Sequence, residues 1–291
     1  MRKLRSYRSR PMHLGPYPLE KLQRVESCDL SDVPPMQGLS FRRANDPASI
    51  VNAMQDYQAM LDATRDGMVK KETAEIPDDA QERANHLKSF GYFCDADMVG
   101  TCTVPDAAWL LAPIVNPDVD RLADRLRTMQ PKSLAAGIDM VLAGLRENMA
   151  LPPSDCRHHT HAILFLYTHP RAPHVGEAGS DWIADALPQR SCLRGIETTV
   201  TLASYVRTLG HDARAHSMAA SDVDLGKLGV AAGLVTTRDG TLVNPFTGDR
   251  FGLAAVTTTL TFAADLPLAP DQSPPVSYRL GTGTHAKSAR T

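Results

Sequence analysis

The sequence predicts an α+β fold in which helices pack on a central mixed sheet, and three observations predict it. Apolar residues recur at three- and four-residue steps through the first half, the period of a helix with one buried face. The second half turns to short runs rich in Val, Thr and other strand-forming residues. A length of 291 residues with 43% hydrophobic content suffices for one large domain whose core buries roughly three quarters of the unfolded surface.

Residues 1–46 carry scattered Pro and Gly ("RPMHLGPYPLEKL", "DVPPMQGLSFRR") without a sustained period, so they are expected to form an extended arm laid over the domain surface. Ile50, Val51, Met54, Tyr57, Met60 and Leu61 then mark a helix behind Asn45 and Asp46 that runs to about Met68. In "PDDAQERANHLKSFG", Asp78 and Asp79 suit the positive end of a second helix and Gly91 suits its close. That helix leads into "DADMVGTCTV", a strand-like segment. Leu134, Ile138, Val141, Leu142, Leu145 and Met149 form a third apolar stripe, ended by the prolines of "LPPSD".

"HAILFLYTH" is a short apolar run bounded by polar residues, as expected of a strand covered on both faces. In "QRSCLRGIETTVTLASYVRTLGHDARAHS", Leu193, Ile196, Val200, Ala203, Val206 and Leu209 share one helical face. Arg207 stands near the negative end and Gly210 terminates, so Cys192 falls just ahead of the helix, beside Arg190 and Arg194. "DARAHS" returns as a strand. Asp239 and Gly240 in "GLVTTRDGTLVN" mark a hairpin, and "LAAVTTTLTF" supplies one more strand.

Charge and cysteine content narrow the function. With 31 basic and 33 acidic residues the formal charge is −2, which gives no field favouring nucleic acid or an anionic membrane. No run approaches the roughly 18 apolar residues that span a bilayer. Five scattered cysteines, an odd number, read as reduced thiols of a cytoplasmic protein. Phosphate-loop and dinucleotide patterns are absent.

Several separated blocks, "RPMHLGPYPLEKL", "HAILFLYTHP", "LRGIETTVTLASYVRTLGHDARAHS", "LVNPFTGDR" and "TTTLTFAADLPLAPD", resemble in order the cobalamin-dependent reductive dehalogenases of the soluble catabolic type, whose nearest relatives are the epoxyqueuosine reductases. The resemblance runs from about Arg10 to Asp271. It implies a nitroreductase-like, corrinoid-binding domain at 47–271, with a flexible tail at 272–291. His216 and Ser217 match a strand end beside the cofactor in that family, and Asn244, Pro245 and Phe246 match another cofactor-side stretch. Glycines 226, 229, 233, 240 and 248 fall within 23 residues, where backbone without a Cβ can approach a large planar ligand. Gly229, Gly233 and Gly248 therefore join the cofactor-binding candidates, with ordinary turn glycine as the alternative.

Two departures bear on chemistry. The resemblance implies two runs of four cysteines holding iron–sulfur clusters, whereas no cysteine follows Cys192 here and none falls at cluster spacing. It also implies a tyrosine proton donor where this chain has Cys192, and a lysine where it has Gly252; Arg250 and Tyr205 are the nearest polar substitutes. A thiol can donate a proton or ligate cobalt, or Cys192 can be an inert filler of the tyrosine's volume. Two readings stay open. One is the cobalamin-bearing subunit of a reductase fed by a ferredoxin-like or flavin electron donor; the other is a non-catalytic cobalamin carrier or regulatory pseudoenzyme.

"CRHHTH" invites a metal reading, but alternation on a strand leaves only His159 and His161 on one face, short of a zinc site unless distant residues join, so no metal site is expected. Asp95 and Asp97 read as turn carboxylates rather than a catalytic pair.

Overall fold

The computed structural model describes residues 10–128, 154–183 and 186–274. Along the chain come α1 (Ile50–Asp62), α2 (Ala80–Phe93), β1 (Met98–Thr103), β2 (Trp109–Ile114) and α3 (Pro117–Thr128). The second half holds β3 (His161–Thr168), a single turn α4 (Ser180–Ile183), α5 (Leu187–Thr208), β4 (Ala213–His216) and β5 (Ser221–Val223). It continues through α6 (Leu225–Ala231), β6 (Thr236–Arg238), β7 (Thr241–Val243) and β8 (Phe251–Thr258). The helix expected over 134–149 lies outside the described residues.

Four strands build the central sheet in the order β1-β3-β8-β4, and every pairing is antiparallel, which corrects the expected mixed sheet. Side chains alternate across it. Ile163, Phe165 and Tyr167 of β3 enter a core under α2 and α5, whereas Ala162, Leu164 and Leu166 enter a second core with α6. The apolar run of β3 follows from burial on both faces.

Residues expected to lie over the surface instead complete that second core, where Tyr17, Leu19, Leu22 and Val33 are buried. Each contributes about 1.5–3 kcal/mol by leaving water. The guanidinium of Arg24 donates to the carbonyls of Gly233 (3.0 Å) and Leu266 (2.7 Å), tying this segment to the end of α6 and to the chain after β8.

Three helix boundaries differ from the sequence expectation. Ser49 Oγ accepts from the Val51 N–H at 3.3 Å to start α1, which ends at Asp62 rather than Met68. Gly91 lies inside α2 instead of closing it, because a Cβ there would meet Phe165 at 2.6 Å and Val99 at 2.8 Å. The glycine serves close packing of helix on sheet. α5 begins at Leu187, with Pro188 in its first turn, a position that needs no donor. Cys192 therefore stands in the second turn of α5 and not ahead of it.

The hairpin β6–β7 turns on Asp239 (φ 50°) and Gly240 (φ 71°), the left-handed pair that matches strand twist.

Candidate functional site

The N-terminal half of α5 packs against α1, and their contact is polar. Cys192 is 1% exposed, and its Sγ accepts from Gln58 Nε2 at 3.0 Å. One turn along α1, Asp62 accepts from Asn116 Nδ2 (2.8 Å) and from Ser217 Oγ (3.2 Å). Gln55 donates to Asn116 Oδ1 at 3.3 Å, and Gln189 donates to the Val51 carbonyl at 2.8 Å. All these side chains are buried.

Burial, and next the Asp62 carboxylate, push the Cys192 thiol up to about 12. The expected electropositive setting is thereby corrected. Arg190 is exposed, and Arg194 turns outward to Asp95 Oδ2 at 3.0 Å. Burial likewise raises Asp62 to about 6, against the hydrogen bonds from Asn116 and Ser217 that favour its charge. At neutral pH the cluster thus holds a protonated thiol beside an Asp62 carboxylate, and Asp62 becomes neutral only as pH falls through about 6.

Of the three catalytic candidates, only Cys192 enters this cluster. Tyr205 is 55% exposed and stands thirteen residues further along α5, about 20 Å along the axis. Arg250 donates to the Pro170 carbonyl at 3.0 Å and lines a separate surface cleft of 450 Å³ with His169, Ile183 and Leu187. His169 reaches Ser191 Oγ at 3.1 Å, and its pKa is lowered by burial, then by Arg250 and Arg190. At Gly252 a Cβ would lie 2.4 Å from Ser191 Oγ. The position that the resemblance assigns to a lysine is closed to any side chain without movement of α5.

The polar cofactor candidates are engaged within the protein. Asn244 Nδ2 donates to the Leu234 carbonyl at 2.7 Å, while its Oδ1 accepts from the N–H groups of Phe246 and Thr247. Phe246 packs against Tyr17 with ring centroids 5.3 Å apart, and Pro245 opens the turn from Asn244 to Gly248. Ser217 Oγ also receives the Ala219 and Ala220 N–H groups. A Cβ at Gly229 would strike Val235 and Leu253, and one at Gly233 would strike Arg24. These two glycines serve packing of α6. Gly248 (φ 66°) closes an open turn with nothing within 4 Å of its Cβ direction.

His216 is fully buried, and burial first of all lowers its pKa well below the ordinary value, so the imidazole is neutral. Its Nδ1 accepts the Asp222 N–H (3.3 Å), and its Nε2 meets Thr257 Oγ1 at 2.8 Å. Thr257 Oγ1 also meets His159 Nδ1 at 2.8 Å. His161, expected on one face with His159, instead stacks edge-on with Phe262 at 5.1 Å. Asp97 accepts from the Thr168 N–H and hydroxyl, both at 2.7 Å, so it and Asp95 act apart.

The sequence reading missed Gln58, Asp62, Asn116 and Gln189. For Gln58 and Asp62 the signal was a run of polar residues on the inner face of α1, at Asn52, Gln55, Gln58 and Asp62; Asn116 and Gln189 carried no local signal. No helix among the described residues is long and apolar enough to cross a membrane.

No protein-family model and no curated protein matches the chain. Solved structures do. The catabolic reductive dehalogenase NpRdhA is 32% identical at a TM-score of 0.68, covering 94% of this chain and 33% of its own. The same enzyme in complex with 3-bromo-4-hydroxybenzoic acid gives 33% identity and a TM-score of 0.69 over the same shares. A reductive dehalogenase whose structure suggests a mechanism for B12-dependent dehalogenation gives 33% and 0.68, covering 94% of this chain and 32% of its own. Over 94% of its length the chain is similar in fold to the reductive dehalogenases, and it spans about a third of the length of those it matches.

Proposed function

We propose that the chain is a reductive-dehalogenase-type domain, nitroreductase-like in architecture, that works as a regulatory pseudoenzyme and not as the proton-donating, cobalamin-bearing subunit of a reductase. The observation that carries this reading is the state of the donor position. Cys192 is sealed between α1 and α5, bonded to Gln58, with its thiol held up to about 12. A group that holds its proton so firmly, out of reach of solvent, is poorly matched to acid catalysis near neutral pH.

The match of these residues to a corrinoid is poor as well. Asn244, His216 and Ser217 have polar atoms already occupied by protein partners, and Gly229 and Gly233 face side chains rather than a cradle. No step through a corrinoid follows from them. The similar structures' B12 dependence nonetheless makes cobalamin the ligand class to test.

The test adds hydroxocobalamin to the purified chain and records its visible spectrum and the melting temperature. The pseudoenzyme reading predicts neither a spectral change nor a rise in melting temperature. A ligand of the folded state at a hundredfold excess over its dissociation constant would stabilise by about 2.7 kcal/mol. Stoichiometric binding with an altered spectrum would restore the cobalamin-bearing readings. Of these, the subunit fed by a ferredoxin-like or flavin protein would then require reduction of the bound cobalt by such a donor, and the carrier would not.

A further inference from the structure

We propose that His158, His159 and Asp212 form a site for a divalent transition metal of the zinc class, at the end of the central sheet where the turn before β3 meets the turn before β4. Their ligand atoms all lie within 4.8 Å of one another. Asp212 Oδ2 is 2.9 Å from His158 Nε2 and 3.2 Å from His159 Nε2. Separations near 3 Å are those that ligands adopt around one ion at about 2.0–2.2 Å in tetrahedral geometry.

Chemistry and burial support the same assignment. His159 is 3% exposed, and its Nε2 makes no hydrogen bond of acceptable geometry although it faces Asp212. A buried ring nitrogen whose neighbours are a carboxylate and a second imidazole is the atom that an ion between them would engage. Its other nitrogen, Nδ1, lies 2.8 Å from Thr257 Oγ1; in the tautomer that donates to that hydroxyl, Nε2 carries the lone pair an ion would take. Thr257 Oγ1 can accept from His216 as well, because a hydroxyl carries two lone pairs. The Asp212 backbone is anchored on both sides: its N–H bonds Thr259 Oγ1 at 3.0 Å and its carbonyl accepts from Thr258 Oγ1 at 2.6 Å. Among the described residues, the Asp212 carboxylate meets the two imidazoles and no other hydrogen-bonding side chain.

Two imidazoles and one carboxylate give three protein ligands and one open position, the donor set of a site that keeps a water or an external ligand. Imidazole suits zinc, nickel and copper, whereas a single carboxylate is too few oxygens for calcium or magnesium. His158 is half exposed, which leaves the fourth position open to solvent. Asp212, which folding brings in from 53 residues beyond His159, is the distant ligand that the local "CRHHTH" pattern lacks.

Calorimetric titration of the full chain with zinc chloride, with cobalt(II) absorbance as a second probe, tests the site. One equivalent of zinc should bind and raise the melting temperature, and cobalt should give the visible bands of a tetrahedral ion. His158→Gln, a half-exposed change that leaves the metal-free melting temperature in place, should lose both, as should Asp212→Asn. Thr257→Val should weaken binding by roughly 10–100-fold, and His86→Gln, which removes the helix-surface pair with Glu82, should leave it unchanged. Absence of a one-equivalent phase, or binding that persists in His158→Gln and Asp212→Asn, overturns the assignment.

Discussion

Asp62 and Cys192 share one buried polar cluster, and each holds its proton for the same reason. Burial raises the Asp62 carboxyl from its ordinary 3.8 to about 6, so the folded protein keeps a proton that the unfolded chain releases. The resulting stability is fully present below about pH 4 and is lost as pH rises through 6, a change of about 3 kcal/mol. Asp62→Asn should flatten that stretch of the stability profile and stabilise the protein near pH 7, measured by urea unfolding at several pH values. Parallel profiles for the two proteins would show that Asp62 is not the group responsible. For Cys192, alkylation at neutral pH should be far slower than at the half-buried Cys28 and Cys94, because thiolate fraction and access both fall with burial. Mass spectrometry of partly alkylated chain reads the order directly. The resemblance assigned Cys192 the place of a proton donor from the residues around it in sequence. Its surroundings were not, since Gln58, Asp62 and Ser217 come from other elements.

Strands and the hairpin were more legible than helix ends. β3 showed as an apolar run, and the β6–β7 turn as an Asp–Gly pair, because both signals are local. Helix ends went astray where glycine serves packing: at Gly91, contact with Phe165 and Val99 decides the residue, and no local pattern carries that information. Antiparallel pairing was hidden for a similar reason, since Met98 pairs with Leu166 and His161 with Thr258, partners 68 and 97 residues apart in sequence. The same close packing governs α5 against β8. Gly252→Ala should destabilise by roughly 1–3 kcal/mol, because its methyl meets Ser191 and the helix must shift. Chemical unfolding measures it, and an unchanged midpoint would mean that α5 yields without cost. Gly240→Ala, at φ 71° in an open turn, should cost about 1–2 kcal/mol from backbone strain alone.

The molecule joins two cores across one antiparallel sheet, and the segment before α1 belongs to the second of them through Tyr17, Leu19, Leu22 and Val33. On the other face, α1 packs on α5 and closes the cluster around Cys192. Its likeness to NpRdhA extends over nearly the full chain, which lets that enzyme's ligand serve as the probe. The most direct measurement is bromide release from 3-bromo-4-hydroxybenzoic acid by the purified chain supplied with hydroxocobalamin and a strong chemical reductant. A pseudoenzyme with a buried, firmly protonated thiol predicts release no faster than from reduced cobalamin without the protein, and no difference between the wild type and Cys192→Ser. Multiple turnovers that depend on the protein and disappear in Cys192→Ser would contradict it.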